Sequence, residues 1–196
     1  MKTIWVATGN LHKLEEISHI LGPDYQLKSF KDLAENFDVE ENGHTYQENA
    51  EIKARALFNA VRQPVFADDS GLEVDALNGE PGINSARYSG LDTNHERNID
   101  KLLDALKEVG ADQRTARFRC LISYIDENGT SHYFEGIFPG RIGFERAGNG
   151  GFGYDPIFFP EGSEKSVAEY PAEEKNRISH RGLAVEKLKK FLELQG

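Results

Sequence analysis

A short apolar run near the start of the chain, Ile4-Trp5-Val6-Ala7, passes directly into Thr8-Gly9-Asn10-Leu11-His12-Lys13. Leu11, Leu14, Ile17 and Leu21 then recur at helical spacing until Gly22-Pro23 stops the helix. This is a strand, a tight turn and a helix. With Asn10 as N-cap, Lys13 falls in the first helical turn, where the macrodipole is positive and a cation is unfavourable. Gly9 lets backbone approach a ligand, and first-turn amides point outward. An anion resting there would offset the misplaced lysine, so the turn reads as a phosphate cradle.

The remaining segments agree with an α/β chain. Thr45-Tyr46-Gln47-Glu48 reads as a capping box, followed by an apolar stripe at Ala50, Ala54, Leu57 and Val61. Pro64-Val65-Phe66-Ala67 reads as a short buried strand ending at Asp68-Asp69-Ser70-Gly71. Thr93-Asn94-His95-Glu96 is a second capping box, opening a helix with Ile99, Leu102, Leu103, Leu106 and Val109 inward. Alternation from Ala116 to Tyr124 and the Asn128-Gly129 turn predict a hairpin into His132-Tyr133-Phe134. Ser179 is expected to cap a final helix using Ala184, Leu188 and Leu192. Strands alternating with helices, then an antiparallel stretch, predict a mixed α/β sheet with flanking helices.

No repeat or linker divides the 196 residues, so 1–196 is expected to be one domain. A chain of this size buries roughly 70% of its unfolded surface and needs no disulfide or structural metal. Cys120 is the only cysteine, which fits a reducing cytosol and excludes a zinc cluster. No apolar run resembles a signal peptide or a membrane span, so a cytoplasmic location and no membrane partner are expected. Net charge is −10, from 23 Lys+Arg against 33 Asp+Glu. A nucleic-acid polymer demands a basic face, so a single nucleotide fits better.

Two adjacent carboxylates, Asp68-Asp69, are costly unless a cation lies beside them. Mg²⁺ suits such a place, since it takes a few carboxylates plus water and phosphate oxygens. Successive strand residues face opposite ways, so one aspartate is expected to enter the site directly. An ordinary solvated turn accounts equally well for the tetrapeptide alone. Glu40-Glu41 offers further carboxylates, or simply a solvated acidic loop. Gly148-Asn149-Gly150-Gly151-Phe152-Gly153 matches G-x-G-x-x-G, yet Tyr154-Asp155-Pro156 and Ile157-Phe158-Phe159 follow, so no helix opens there. It reads as a loop displaying Phe152 and Tyr154, aromatics suited to stacking on a base, while for Phe152 alone a core position flanked by turn glycines explains the pattern as well. No P-loop motif occurs. Lys175, His180 and Arg181 cluster near the last helix start, and a basic surface balancing Glu173 and Glu174 explains the lysine alone. Arg114, Arg117 and Arg119 read as one solvated strand face.

Taken together and in order, these segments resemble the inosine triphosphate pyrophosphatase family. The carrying residues are Thr8-Gly9-Asn10 with Lys13, Glu40-Glu41 before Gly43, Glu48-Asn49-Ala50 with Lys53, and Ala67-Asp68-Asp69-Ser70-Gly71. Pro81-Gly82, Ser85-Ala86-Arg87-Tyr88, Gly150 to Pro156, Glu174-Lys175 and Ser179-His180-Arg181 complete the set. Asn84 departs from the pattern, where a larger residue is expected. The resemblance implies Mg²⁺-dependent hydrolysis of ITP, dITP and XTP to the monophosphate and pyrophosphate. It implies an elongated sheet in two lobes around a central nucleotide-binding cleft, and a homodimer.

By the same resemblance, Thr8, Gly9, Asn10, Leu11, His12 and Lys13 grip the triphosphate with help from Lys53. Asp69 is the general base, Asp69 and Glu40 (or Glu41) hold Mg²⁺, and Ser70 touches substrate. Phe152, Gly153, Tyr154, Asp155, Lys175, His180 and Arg181 form the base pocket. Donors there would bond the six-keto oxygen of hypoxanthine or xanthine and oppose the six-amino group of adenine. A site built around such a bond rejects the wrong partner by ~10⁴ in favourable cases. The alternatives are a septum-associated type of pyrophosphatase acting on dTTP or UTP, and a nucleotide-binding regulator without turnover.

Overall fold

The computed structural model describes residues 2–33 and 39–195. Six strands form one mixed sheet in the order β2-β1-β3-β4-β5-β6. They are β1 (Lys2–Val6), β2 (Tyr25–Ser29), β3 (Val65–Val74), β4 (Thr115–Ile125), β5 (Ser131–Ile142) and β6 (Phe158–Pro160). The helices are α1 (Leu11–Leu21), α2 (Tyr46–Val61), α3 (His95–Ala105), α4 (Ala172–Ile178) and α5 (His180–Leu194). Strand β1 runs parallel to both β2 and β3, with Trp5 opposite Val65 and Val6 opposite Phe66. Strands β5 and β6 are antiparallel. No helix among the described residues is long and apolar enough to cross a membrane.

The chain forms two compact units. The first comprises residues 1–69, 120–136 and 180–196, and the second comprises 70–119 and 137–179. In the first, Ile4, Val6, Phe66, Cys120 and Ile122 pack with Ile17 and Leu21 of α1 and Ala184, Val185 and Leu188 of α5. Trp5, Ala7, Val65 and Ala67 meet Ala54, Leu57 and Phe58 of α2 in a separate cluster. Both clusters draw on alternate residues of β1 and β3, as strand geometry requires of a sheet covered on both faces. Burial pushes the Cys120 thiol up to about 12, which leaves it an inert core residue. The second unit packs Leu72 and Val74 with Ile99, Leu102 and Leu106 of α3, and with Phe118, Phe138 and Phe158.

The predicted helices at α1, α2, α3 and α5 are present, with Asn10 capping α1 and Thr45 capping α2. The cap of α3 is Asn94 rather than Thr93, and its side chain accepts the Arg97 N–H. Strand β2 and helix α4 carry only weak patterns in the sequence. Strand β3 is longer than expected and runs through Asp68-Asp69-Ser70-Gly71 to Val74, so the carboxylates lie within a strand and not at a turn. Lys13 beside Asp68 and Lys53 beside Asp69 let the strand carry these charges inward.

Arg114 also differs from expectation. It is 2% exposed and donates to the carbonyls of Leu106, Val109 and Gly143. Carbonyls beyond a helix end need donors, and a buried guanidinium supplies several at once. Arg117 and Arg119 do lie toward solvent, paired with Glu73 and Asp75.

A polar knot fastens α2 to the β4–β5 hairpin. The Glu51 carboxylate accepts from Ser123 at 2.6 Å, Ser131 at 2.8 Å, Arg55 at 2.7 Å and Tyr133 at 3.1 Å. Burial works to raise the Glu51 pKa, but these bonds outweigh it and hold it below the usual value. A carboxylate with a depressed folded pKa contributes stability in full above its unfolded pKa of about 4.3 and loses it as pH falls through the folded value. Glu51→Gln is therefore expected to cost about 1–2 kcal/mol near neutrality. In urea melts at stepped pH, the gap from wild type should narrow as the pH drops below about 4.3. A gap independent of pH would refute the assignment.

Candidate active site

The first unit gathers the charges of the opening turn around β3. Helix α1 begins as expected, with Asn10 Oδ1 accepting the amides of His12 at 3.0 Å and Lys13 at 3.4 Å. Thr8 Oγ1 accepts the Asn10 N–H at 3.2 Å. The turn thus satisfies part of its own donor set, so an incoming anion competes with Asn10 for the first-turn amides. Gly9 also has a packing reason: a Cβ there would come within 2.9 Å of the Phe30 ring. Leu11 and His12 are exposed, at the solvent side of the turn.

Lys13 already has an anion. Its Nζ lies 2.8 Å from Asp68 Oδ2, and Asp68 is 1% exposed. Arg181 approaches the same oxygen at 3.6 Å and is ion-paired with Glu16 of α1. Burial works to raise the Asp68 pKa, but Lys13, Arg181 and Lys53 together hold its carboxyl far below the usual carboxylate range. Burial likewise opposes the charge of Arg181, and Asp68 and Glu16 more than restore it. Asp68 is therefore a fixed anion that anchors two cations, a role that the sequence did not disclose. Arg181, at 3% exposed, is part of this buried network, and His180 beside it at the start of α5 is 8% exposed.

Asp69 faces the other way, as strand alternation requires. Its Oδ2 accepts from Asn49 Nδ2 at 3.2 Å, and its Oδ1 stands 3.8 Å from Lys53 Nζ. Lys53 Nζ also donates to the Asp68 backbone carbonyl at 2.9 Å and meets Glu41 Oε2 at 3.0 Å. Burial raises the Asp69 pKa, the Lys53 charge lowers it and nearby Glu41 raises it, with a net shift upward. Lys53 moves upward as well: burial opposes its charge, and Asp69, Asp68 and Glu41 overcome that. The structure thus places Glu41 beside Lys53, and both Glu40 and Glu41 are exposed. Two carboxylates bracketing one ammonium form a hard-oxygen donor set of the kind a small divalent cation accepts.

In the second unit, the glycine-rich turn wraps one carboxylate. Asp155 Oδ2 accepts the Phe152 N–H and the Lys175 ammonium, both at 2.8 Å. Gly151 there has φ +73, a left-handed conformation, and a Cβ on it would strike the Asp155 side chain. Lys175 Nζ sits 4.5 Å from the centre of the half-buried Phe152 ring, within cation–π range. Tyr154 is not displayed by the loop: it is 5% exposed, and its hydroxyl donates to the Ser85 carbonyl at 2.8 Å. An aromatic ring beside an apolar cluster gains more from the core than from the loop surface. Ser70 is half-buried in β3, Gly153 is half-buried, and Asn84 is exposed in the short helix Gly82–Arg87.

Sequence reasoning missed Asn49 and Glu16 as participants. The Asn49/Lys53 spacing, four residues apart on one helix face, was the available signal.

The chain is similar to known proteins over nearly its whole length. The dITP/XTP pyrophosphatase of Bacillus subtilis (strain 168) is 45% identical over 194 residues, covering 98% of each chain. That of Porphyromonas gingivalis (strain ATCC BAA-308 / W83) is 47% identical over 192 residues, again covering 98% of each. The structure of the Staphylococcus aureus Ham1 protein superposes with a TM-score of 0.90 at 42% identity, over 100% of both chains. The nucleoside-triphosphatase / dITP/XTP pyrophosphatase of Mycobacterium abscessus gives a TM-score of 0.79 at 40% identity, over 95% of this chain and 98% of that one. The model of the Ham1 family matches residues 4–191, nearly the whole length, and this chain belongs to that family.

Proposed function

We propose that this protein hydrolyses non-standard purine nucleoside triphosphates, dITP, XTP and ITP, to the monophosphate and pyrophosphate. The observation that carries the reading is Asp69, a mostly buried carboxylate held by Asn49 beside Lys53, in a chain about 45% identical to dITP/XTP pyrophosphatases. An upward-shifted carboxylate is the better proton acceptor near neutral pH. Asp69 takes a proton from water as the water oxygen bonds to the α-phosphorus. The bridging bond to the β-phosphate breaks, and pyrophosphate leaves with the electron pair.

The rest of the first unit meets the charge of the triphosphate. An ammonium has three N–H donors, so Lys13 with one on Asp68 keeps two for phosphate oxygens. Lys53 turns from Glu41 and Asp69 toward phosphate as the nucleotide arrives. Thr8, Gly9, Asn10, Leu11 and His12 line the approach, and Ser70 follows Asp69 along β3. Mg²⁺ belongs to this reading, with Asp69 and the Glu40-Glu41 segment as its holders, and when bound it neutralises charge on the phosphates. We assign base recognition to Phe152, Gly153, Tyr154, Asp155 and Lys175 of the second unit. Tyr154 offers backbone only, and Arg181 acts through Asp68 and Glu16. A homodimer and a cytoplasmic location complete the reading.

Ion chromatography of the products from XTP and Mg²⁺ tests the reaction type. Equal amounts of xanthosine monophosphate and pyrophosphate are expected. The diphosphate with orthophosphate would mean attack at the terminal phosphorus and would overturn the mechanism.

A further inference from the structure

Asn49 lies in the first turn of α2, 4% exposed, and its carboxamide has a different partner at each end. Oδ1 accepts the Gly43 N–H at 2.9 Å, and Nδ2 donates to Asp69 Oδ2 at 3.2 Å. The two partners fix the orientation of the amide, because an N–H needs an acceptor and a carboxylate needs a donor. Aspartate in this place would face Asp69 with like charge, and leucine would serve neither end. Gly43 takes part through its lack of a side chain. A Cβ on it would lie 2.7 Å from Asn49 Oδ1 and 2.7 Å from Glu48 Cβ.

Lys53 stands one turn further along the same helix face and bridges the same two places, Glu41 and Asp69. One tie is charged and faces substrate phosphate. The other is neutral, buried and committed to protein. When Lys53 turns to the nucleotide, Asn49 is the tie that still joins the acidic segment to Asp69.

We propose that Asn49 is a positioning residue for the reaction, locking the Asp69 carboxylate and the Glu40–Gly43 segment into one unit through Gly43. This rests on Asp69 being the general base and a metal holder. Displacing a reacting group by about 1 Å costs on the order of 100-fold in rate. Loss of a partner that orients metal ligands costs about 10–100-fold in metal affinity or activity.

The test compares Asn49→Leu, Gly43→Ala, their combination and Asp69→Asn, with kcat and KM for XTP measured well below the melting temperature. Mn²⁺ binding to the nucleotide-free protein is followed by electron paramagnetic resonance. Asn49→Leu should lower kcat about 100-fold with KM nearly unchanged, and weaken Mn²⁺ about tenfold or more. Gly43→Ala, which keeps the buried carboxamide and disturbs the connection from the Gly43 side, should shift both readouts the same way. The double variant should be little worse than the more severe single one, since both cut one connection. Wild-type kcat and Mn²⁺ affinity in Gly43→Ala, or fully additive losses, would overturn the proposal. If Asp69→Asn collapses while Asn49→Leu turns over normally, the Asn49 inference alone fails. If Asp69→Asn itself keeps wild-type turnover, the general-base reading fails and Asn49 loses its role with it.

Discussion

Asp69→Asn should lower kcat for XTP by about 10³-fold, within the 10²–10⁴ usually supplied by a positioned general base. The amide is nearly isosteric and cannot take the proton from water. Its oxygen still accepts from Asn49 Nδ2, so the fold around β3 should hold. Binding of XTP without turnover should survive, because Lys13 is anchored by Asp68 and not by Asp69. Calorimetric titration of the variant with XTP and Mg²⁺ reads the binding, and single-turnover quench reads the chemistry. Loss of both to the same degree would mean that Asp69 holds substrate and does not activate water. Wild-type turnover would remove Asp69 from the chemistry altogether.

Asp68→Ala should have the largest effect on stability. Asp68 is buried and opposes both Lys13 and Arg181, with side chains 18% and 4% exposed. Removing it strands two cations, and breaking a buried pair on one side costs about 3–5 kcal/mol. For a chain of this length that is a drop of roughly 10 °C or more in Tm. Adding Arg181→Leu should restore part of the loss, because the stranded guanidinium goes with it, although Glu16 then loses its partner. Urea melts of the three proteins check this. A change below about 1 kcal/mol for Asp68→Ala would mean that water reaches the pair and that its burial carries little energy.

Most of the fold was legible because its elements carry strong local signals. The N-caps Asn10 and Thr45, the apolar stripes of α1, α2 and α3, and the Asn128-Gly129 turn all act over a few residues. What stayed hidden depends on partners distant in sequence. Asp68-Asp69 reads as a strand end because polar Asp, Ser and Gly favour turns, and it takes Lys13, 55 residues away, together with Arg181 and Lys53 to stabilise Asp68 inside a sheet. Arg114 looked solvent-facing until the carbonyls of Leu106, Val109 and Gly143 closed around it.

The same holds for the site. Lys13 is a charge at the unfavourable end of a helix, and its resident partner is a protein carboxylate. The macrodipole penalty is about 0.3–1 kcal/mol, small beside a buried ion pair, so the pair decides where the lysine points. Tyr154 shows the opposite error, since a ring next to glycines resembles a displayed aromatic until its hydroxyl is found on the Ser85 carbonyl.

The most direct test is a comparison of kcat/KM for dITP, XTP, ATP, GTP and dTTP under one Mg²⁺ condition, by pyrophosphate release. We expect dITP and XTP to exceed ATP and dTTP by about 10² or more, within the ~10⁴ available to a site built around a buried hydrogen bond to a base oxygen. A preference for dTTP, equal rates on ATP and XTP, or tight XTP binding without any pyrophosphate would contradict it.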